Sequence, residues 1–214
     1  MGRFCNINGG RMKLAIGIPS GDQCFMDFTI SLSQMLMYTL ENRGMIKGLS
    51  RDIAIINAKS SIVHKGRSEI IEGCVRNGID KVLMVDTDMT FPPSTAIDLL
   101  KRNKKIVAAN VCSRRPPMIP NTRDINRKII DFRKVHGVKE VGYVGTGLIM
   151  IDVDVFVKLG KPYFNIEWDE KNQRFDGEDY NFCEKAREKD YKIYCDFDLS
   201  EHVGHIGTTL CRTK

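Results

Sequence analysis

No stretch of this sequence approaches the roughly 18 uninterrupted apolar residues that a bilayer-spanning helix needs, so no transmembrane segment is expected. Its seven cysteines (Cys5, Cys24, Cys74, Cys112, Cys183, Cys195 and Cys211) never fall in a Cys-x-x-Cys pair. Their odd number and scatter exclude an evident zinc cluster or disulfide framework and point to reduced thiols in the cytoplasm. Residues 1–12 lack the apolar centre of a secretory signal and read as a flexible lead-in. There is no Walker sequence and no Gly-x-Ser-x-Gly, which removes ordinary P-loop NTPases and serine hydrolases. Aromatic residues make up only 8% of the chain, with one tryptophan. The most basic stretch, residues 102–134, holds Phe132 as its stacking ring, too few for a nucleic-acid groove, so no nucleic-acid partner is expected. The formal charge of +6 suits an anionic ligand without identifying one.

What remains is an ordinary soluble composition, 42% hydrophobic and 28% charged over 214 residues, long enough for one well-cored domain. Apolar runs at residues 13–18, 52–57, 81–85 and 106–111 read as strands. Helical spacing fills the intervals at 25–42, 65–77 and 94–102, with Gly44 as a left-handed cap and Met35 and Met37 in the core. This alternation predicts an α/β sandwich with a mainly parallel central sheet. Beyond Cys112 the rhythm changes. Pro116, Pro117 and Pro120 favour an extended loop, and residues 129–144 read as short antiparallel strands turning at His136-Gly137. A strand at 148–151, a helix at 177–189 and a late strand at 191–195 follow. The domain at 13–214 thus divides into a nucleotide-type half, 13–112, and a more irregular half, 113–214.

The strand at 81–85 ends in Asp86-Thr87-Asp88, and Pro92-Pro93 stops any extension. Strand ends of open α/β sheets border a ligand crevice. In an extended segment both carboxylates face one side, where a hard divalent cation can bind; the alternative is two solvated aspartates. Glu178-Asp179 opens a helix. The pair complements the helix dipole, or it holds a carboxylate ready to take a proton from an attacking hydroxyl. His202 and His205 are two of the four histidines, and a neutral imidazole can complete coordination of an ion held by Asp88. His202-Val203-Gly204-His205 also matches a short nucleotidylyltransferase and synthetase signature, but it lies at the wrong end of the chain and no helix follows. Gly145-Thr146-Gly147 is not a dinucleotide fingerprint, though its glycines permit close backbone approach to a ligand.

Taken in order, Ile18-Pro19-Ser20, Arg67, Asp86-Thr87-Asp88, Gly145-Thr146-Gly147-Leu148, Gly177-Glu178-Asp179 and His205-Ile206-Gly207 resemble the motif series of GT-A nucleotide-sugar glycosyltransferases. The likeness is to compact members encoded by viruses, large algal viruses among them, and phages. It implies a single Rossmann-like GT-A domain and transfer, inverting by preference, from a nucleotide-diphosphate sugar to a glycan or glycoprotein. A UDP-sugar is the favoured donor, and the location is the cytoplasm, the host's if the source is viral. It also implies Mn²⁺ or Mg²⁺ on Asp88, with His205 preferred to His202 as a ligand, and Asp86 on the ribose or the metal. By the same resemblance Pro19 and Ser20 line the nucleoside pocket, Arg67 reaches base or phosphate, Asp179 is the base and Glu178 hydrogen-bonds donor or acceptor. Trp168 reads as a stacking face for the acceptor sugar or as a core indole, and Arg67 alternatively as a helix-face arginine. Two other functions stand beside this one. A sugar-1-phosphate nucleotidylyltransferase would carry a basic glycine-rich loop where Pro19-Ser20-Gly21-Asp22-Gln23 stands. A non-catalytic sugar- or nucleic-acid-binding module would leave the acids merely solvated.

Overall fold

Strand β1 (Met12–Ser20) sends Leu14 and Ile16 to one face of a sheet and Ala15 and Gly17 to the other, and both faces are covered. That double cover explains why the strands are apolar throughout rather than alternating. The structure is a computed structural model that describes residues 11–114 and 117–207. Most of the expected lead-in, together with Cys5, Cys211, Arg115 and Pro116, lies outside the described residues. The expected lead-in ends earlier than residue 12, since Met12 already belongs to β1.

The first half runs through α1 (Met26–Asn42), β2 (Leu49–Lys59), α2 (Val63–Arg76), β3 (Lys81–Val85), β4 (Met89–Thr90), α3 (Thr95–Lys101) and β5 (Ile106–Ala108). The second contains β6 (Val138–Val141), β7 (Leu148–Asp152), α4 (Val153–Leu159), β8 (Glu167–Asp169), β9 (Arg174–Asp176), α5 (Glu178–Glu188), β10 (Ile193–Asp196), α6 (Phe197–Ser200) and β11 (Gly204–His205). Seven strands form one sheet in the order β2-β1-β3-β7-β5-β10-β6. Strands β2, β1, β3, β5 and β10 share a direction, while β7 and β6 are reversed. The result is a Rossmann-like α/β sheet, mostly parallel, with the reversed β7 wedged between β3 and β5. Two small antiparallel pairs, β4 with β11 and β8 with β9, stand apart from it.

One core layer joins Ile70, Ile71, Val82, Met84, Ile149, Phe156 and Phe182 under α2, α4 and α5. The other joins Ile16, Phe28, Met35, Leu83, Ile97, Val107 and Met150 under α1 and α3. A fully buried side chain such as Phe156 or Phe182 contributes about 1.5–3 kcal/mol of hydrophobic stabilisation. Gly17 has a packing reason: a Cβ there would lie 2.6 Å from Ile70 Cγ2. This close approach seats α2 on β1 and brings Arg67, one turn before Ile70, toward the carboxyl edge of the sheet.

Several expectations change. Strand β1 does not break at Pro19; it continues to Ser20, with Pro19 in register with Ala58. The last β1 pair with β3 is Gly17–Met84, so proline's missing N–H falls where β1 has lost its second neighbour. Gly44 is not a left-handed cap but lies in a 3₁₀ turn, Arg43–Met45; Gly48 takes the positive φ, +79°. Met35 is core, whereas Met37 is 62% exposed, because two positions along a helix turn a side chain by about 200°. Within 129–144 only Val138–Val141 is a strand, preceded by a 3₁₀ turn at Phe132–Lys134, and it extends the main sheet at its edge.

Candidate functional site

The carboxyl ends of β1, β3 and β5 form a rim, and reversed β7 starts at that same rim, with Val85 paired to Leu148. The chain leaving β3 therefore runs beside the chain entering β7, and Asp86 N–H donates to the Gly147 carbonyl at 2.9 Å. Asp86 and Asp88 do not lie in an extended segment as their spacing suggested. Met89 N–H donates to the Asp86 carbonyl at 3.3 Å, so residues 86–89 form a turn and the two carboxylates take separate partners.

Asp86 belongs to Arg67. The guanidinium donates from Nη2 to both Asp86 oxygens, at 2.8 and 2.9 Å, and from Nη1 to Glu178. The Arg67 side chain is 4% exposed, so it is not a snorkelling helix-face arginine. It clamps the turn after β3 to the first residue of α5. Burial pushes the Asp86 carboxyl above its usual range; Arg67 opposes this, and the charges of Asp88 and Glu178 add to it.

Asp88 belongs to the C-terminal segment. His205 Nε2 lies 3.4 Å from Asp88 Oδ2, and Arg114 Nη1 lies 2.9 Å from the same oxygen. Strand β11 pairs with β4, Ile206 N–H donates to the Asp88 carbonyl at 2.8 Å, and His205 Nδ1 lies 2.7 Å from the Cys112 carbonyl. A carbonyl only accepts, so Nδ1 carries the proton and Nε2 is the nitrogen presented to Asp88. In neutral His205 that would set a lone pair against a carboxylate, an arrangement that calls for a proton or another cation. Burial alone would raise the Asp88 carboxyl, but the His205 hydrogen bond and the charges of His205 and Arg114 outweigh it and hold it low. The Asp88 hydrogen bond in turn raises the His205 imidazole, against the effect of its burial.

Asp179 completes the cluster beside Glu178. Burial, then the charge of Glu178, raises its carboxyl, with Arg67 opposing. A Cβ on Gly145 would sit 3.8 Å from Asp179 Oδ2, and one on Gly147 would sit 3.3 Å from Asp86 Oδ2. The Gly145-Thr146-Gly147 segment thus floors the space beside both acids with bare backbone. Thr146 itself is 1% exposed, and its hydroxyl has no hydrogen-bond partner among the described residues.

Ser20 and Asn57 meet at the ends of β1 and β2, where Asn57 Nδ2 donates to Ser20 Oγ at 2.7 Å. Pro19 lies against Gly66, next to Arg67. The Thr87 carbonyl accepts from Phe25 N–H at 3.3 Å, tying the turn to the start of α1. His202 is exposed and stands outside the cluster. Trp168 is no core indole: it is 43% exposed and makes an edge contact with Phe175, its cross-strand partner on the β8–β9 hairpin, at 5.0 Å between centroids. Arg114, the Cys112 carbonyl and Phe175 were not singled out from the sequence. Only Arg114 left a trace there, as one member of a basic stretch. Cavities of about 430 and 330 Å³ open elsewhere, around Glu140, Arg187 and Tyr191, and share no residue with the acidic cluster.

No family model matches the chain, and no curated protein matches it. Among solved structures, the crystal structure of A197 from STIV superposes over 95% of this chain and 98% of its own, with a TM-score of 0.54 and 14% identity. At that identity the likeness establishes the shared fold. No described helix is long and apolar enough to cross a membrane.

Proposed function

We propose that this protein is a metal-dependent glycosyltransferase of the GT-A type, moving a sugar from a nucleotide diphosphate, a UDP-sugar by preference, to a glycan or glycoprotein acceptor. One observation carries the reading. The turn after β3, the start of α5 and the C-terminal His205 segment, remote in sequence, meet at one sheet rim beside a glycine floor. A dinucleotide or serine-hydrolase site needs none of these three together.

The donor set fits a hard divalent cation such as Mn²⁺ or Mg²⁺. Asp88 offers an oxygen and His205 Nε2 a nitrogen, while Asp86 is engaged by Arg67. Water and the donor's phosphates would fill the other positions, as such ions prefer. A bound cation supplies neutralisation of the charge that develops on the departing diphosphate. Asp86, held by Arg67, orients the turn and faces the Gly147 floor. Asp179 accepts the proton of the acceptor hydroxyl, and its raised carboxyl makes it a stronger base than an ordinary aspartate. Glu178, ion-paired with Arg67, positions the start of α5. The exposed Trp168–Phe175 pair on the hairpin that leads into α5 offers an apolar face to an acceptor ring.

Titration calorimetry with UDP, with and without Mn²⁺, tests the proposal. UDP binding should strengthen with Mn²⁺ in the wild-type protein and lose that dependence in Asp88→Ala. A donor-hydrolysis screen over UDP-, GDP- and dTDP-sugars then selects base and sugar, and the anomeric configuration of the product assigns inversion. Metal-independent UDP affinity, or none at all, would refute the assignment.

A further inference from the structure

Arg114 and His205 converge on a single atom, Asp88 Oδ2. The two contacts differ in kind. The His205 side chain is 13% exposed, and its ring is fixed from behind by the Cys112 carbonyl. The Arg114 side chain is 57% exposed, and among the described residues Asp88 is the carboxylate it pairs with. The backbone beneath it packs closely against Gly207, where a Cβ would come 2.7 Å from the Arg114 carbonyl oxygen. Arg114 is thus a long, largely solvated side chain with its charge resting where the proposed function puts a divalent cation.

We infer that Arg114 is a phosphate-binding residue held in reserve: it neutralises Asp88 in the protein alone and passes to the donor diphosphate when a divalent cation takes Asp88. The inference rests on the function proposed above. A divalent cation on the Asp88 carboxylate repels a guanidinium at the same oxygen far more strongly than the imidazole does, so metal entry displaces Arg114. The displaced side chain stays tethered beside the metal, where the diphosphate brings a new anion. A planar guanidinium binds phosphate oxygens in bidentate fashion, so the exchange replaces one anionic partner with another. Exposure keeps the Arg114–Asp88 pair weak enough to yield.

The test compares wild type, Arg114→Gln and Arg114→Lys. Free Mn²⁺ is followed by electron paramagnetic resonance without nucleotide, and UDP binding by calorimetry at saturating Mn²⁺. Removing the competing charge should tighten Mn²⁺ binding up to about fivefold in Arg114→Gln, the size of an exposed ion pair. The same variant should bind UDP roughly tenfold more weakly, as expected on losing a charge-assisted hydrogen bond. Arg114→Lys should return Mn²⁺ affinity toward the wild-type value. A residue with a merely structural role would shift both affinities in the same direction or neither. Unchanged or weaker Mn²⁺ binding in Arg114→Gln, or unchanged UDP binding, overturns this inference while leaving the parent function standing. Failure of all three proteins to bind Mn²⁺, with and without UDP, overturns both.

Discussion

Arg67 offers the sharpest test of how the rim is held. It sits at 4% side-chain exposure between Asp86 and Glu178, whose side chains are 29% and 17% exposed. At an effective dielectric of about 20, each contact has a gross attraction of about 4 kcal/mol, most of it offset by desolvating three charges. Replacing Arg67 by Met removes the cation and leaves two partly buried anions facing each other. Breaking a buried pair in this way costs about 3–5 kcal/mol, and the residual exposure of both acids argues for the lower end. For a domain of this size each kcal/mol lowers Tm by roughly 2–4 °C, so a fall of about 10 °C is expected at pH 7.5. The pH dependence has a definite sign. Asp86 already titrates above its usual range, and losing Arg67 moves it further up. A carboxyl raised in the folded state makes the protein take up protons on folding, so stability falls as pH rises from the ordinary value toward the raised one. The deficit of Arg67→Met should therefore shrink on acidification to pH 5. The neutral combination Arg67→Met, Asp86→Asn, Glu178→Gln should recover most of the loss at pH 7.5. Urea unfolding at both pH values measures this directly. A loss below about 1 kcal/mol, or one equal at the two pH values, would refute the claim that a buried cation joins the two acidic segments.

Asp179→Asn should keep Mn²⁺-dependent UDP binding yet lose about 10²–10⁴-fold in transfer rate, as an initial-rate assay would report. In the wild type, the transfer rate should climb with pH through an inflection above the ordinary carboxyl value of about 3.9, because the raised Asp179 must be ionised to accept a proton. Thr146→Val should hold stability level or raise it by up to about 1 kcal/mol in urea unfolding, since it removes a buried hydroxyl that has no partner among the described residues. Trp168→Ala should change stability by no more than about 1 kcal/mol, the worth of its exposed aromatic pair, while raising KM for a glycan acceptor and leaving donor hydrolysis unchanged.

Which parts of this architecture were legible beforehand follows from element length and burial. Strand β3 and helices α2 and α5 announce themselves because an uninterrupted apolar run or a 3.6-residue period survives over many positions. The pairs β4·β11 and β8·β9 are two and three residues long, too short for any period, and they exist because tertiary contacts hold them. The acids were found by type and spacing, but their partners were not. Arg67 lies on the same buried face of α2 as Ile70, Ile71 and Cys74, a placement that could have marked it as internal. Nothing local could have paired it with Glu178 across the fold. Asp86-Thr87-Asp88 was read as extended because the strand before it is; the Asp86–Met89 turn depends on β7 arriving alongside.

The reversed run of β7 has a consequence for how such a protein can change. Because one neighbour departs from the rim where the other arrives, the rim there is a junction of two peptide segments, Asp86 against Gly147. The tract between Val111 and Gly145 feeds straight into that junction. Lengthening it would be expressed as altered spacing at the Asp86–Gly147 contact, whereas an insertion after Asp152, at the opposite end of the same strand, would leave that spacing untouched. Changes in chain length should therefore reshape the acidic rim in the first place and be silent there in the second.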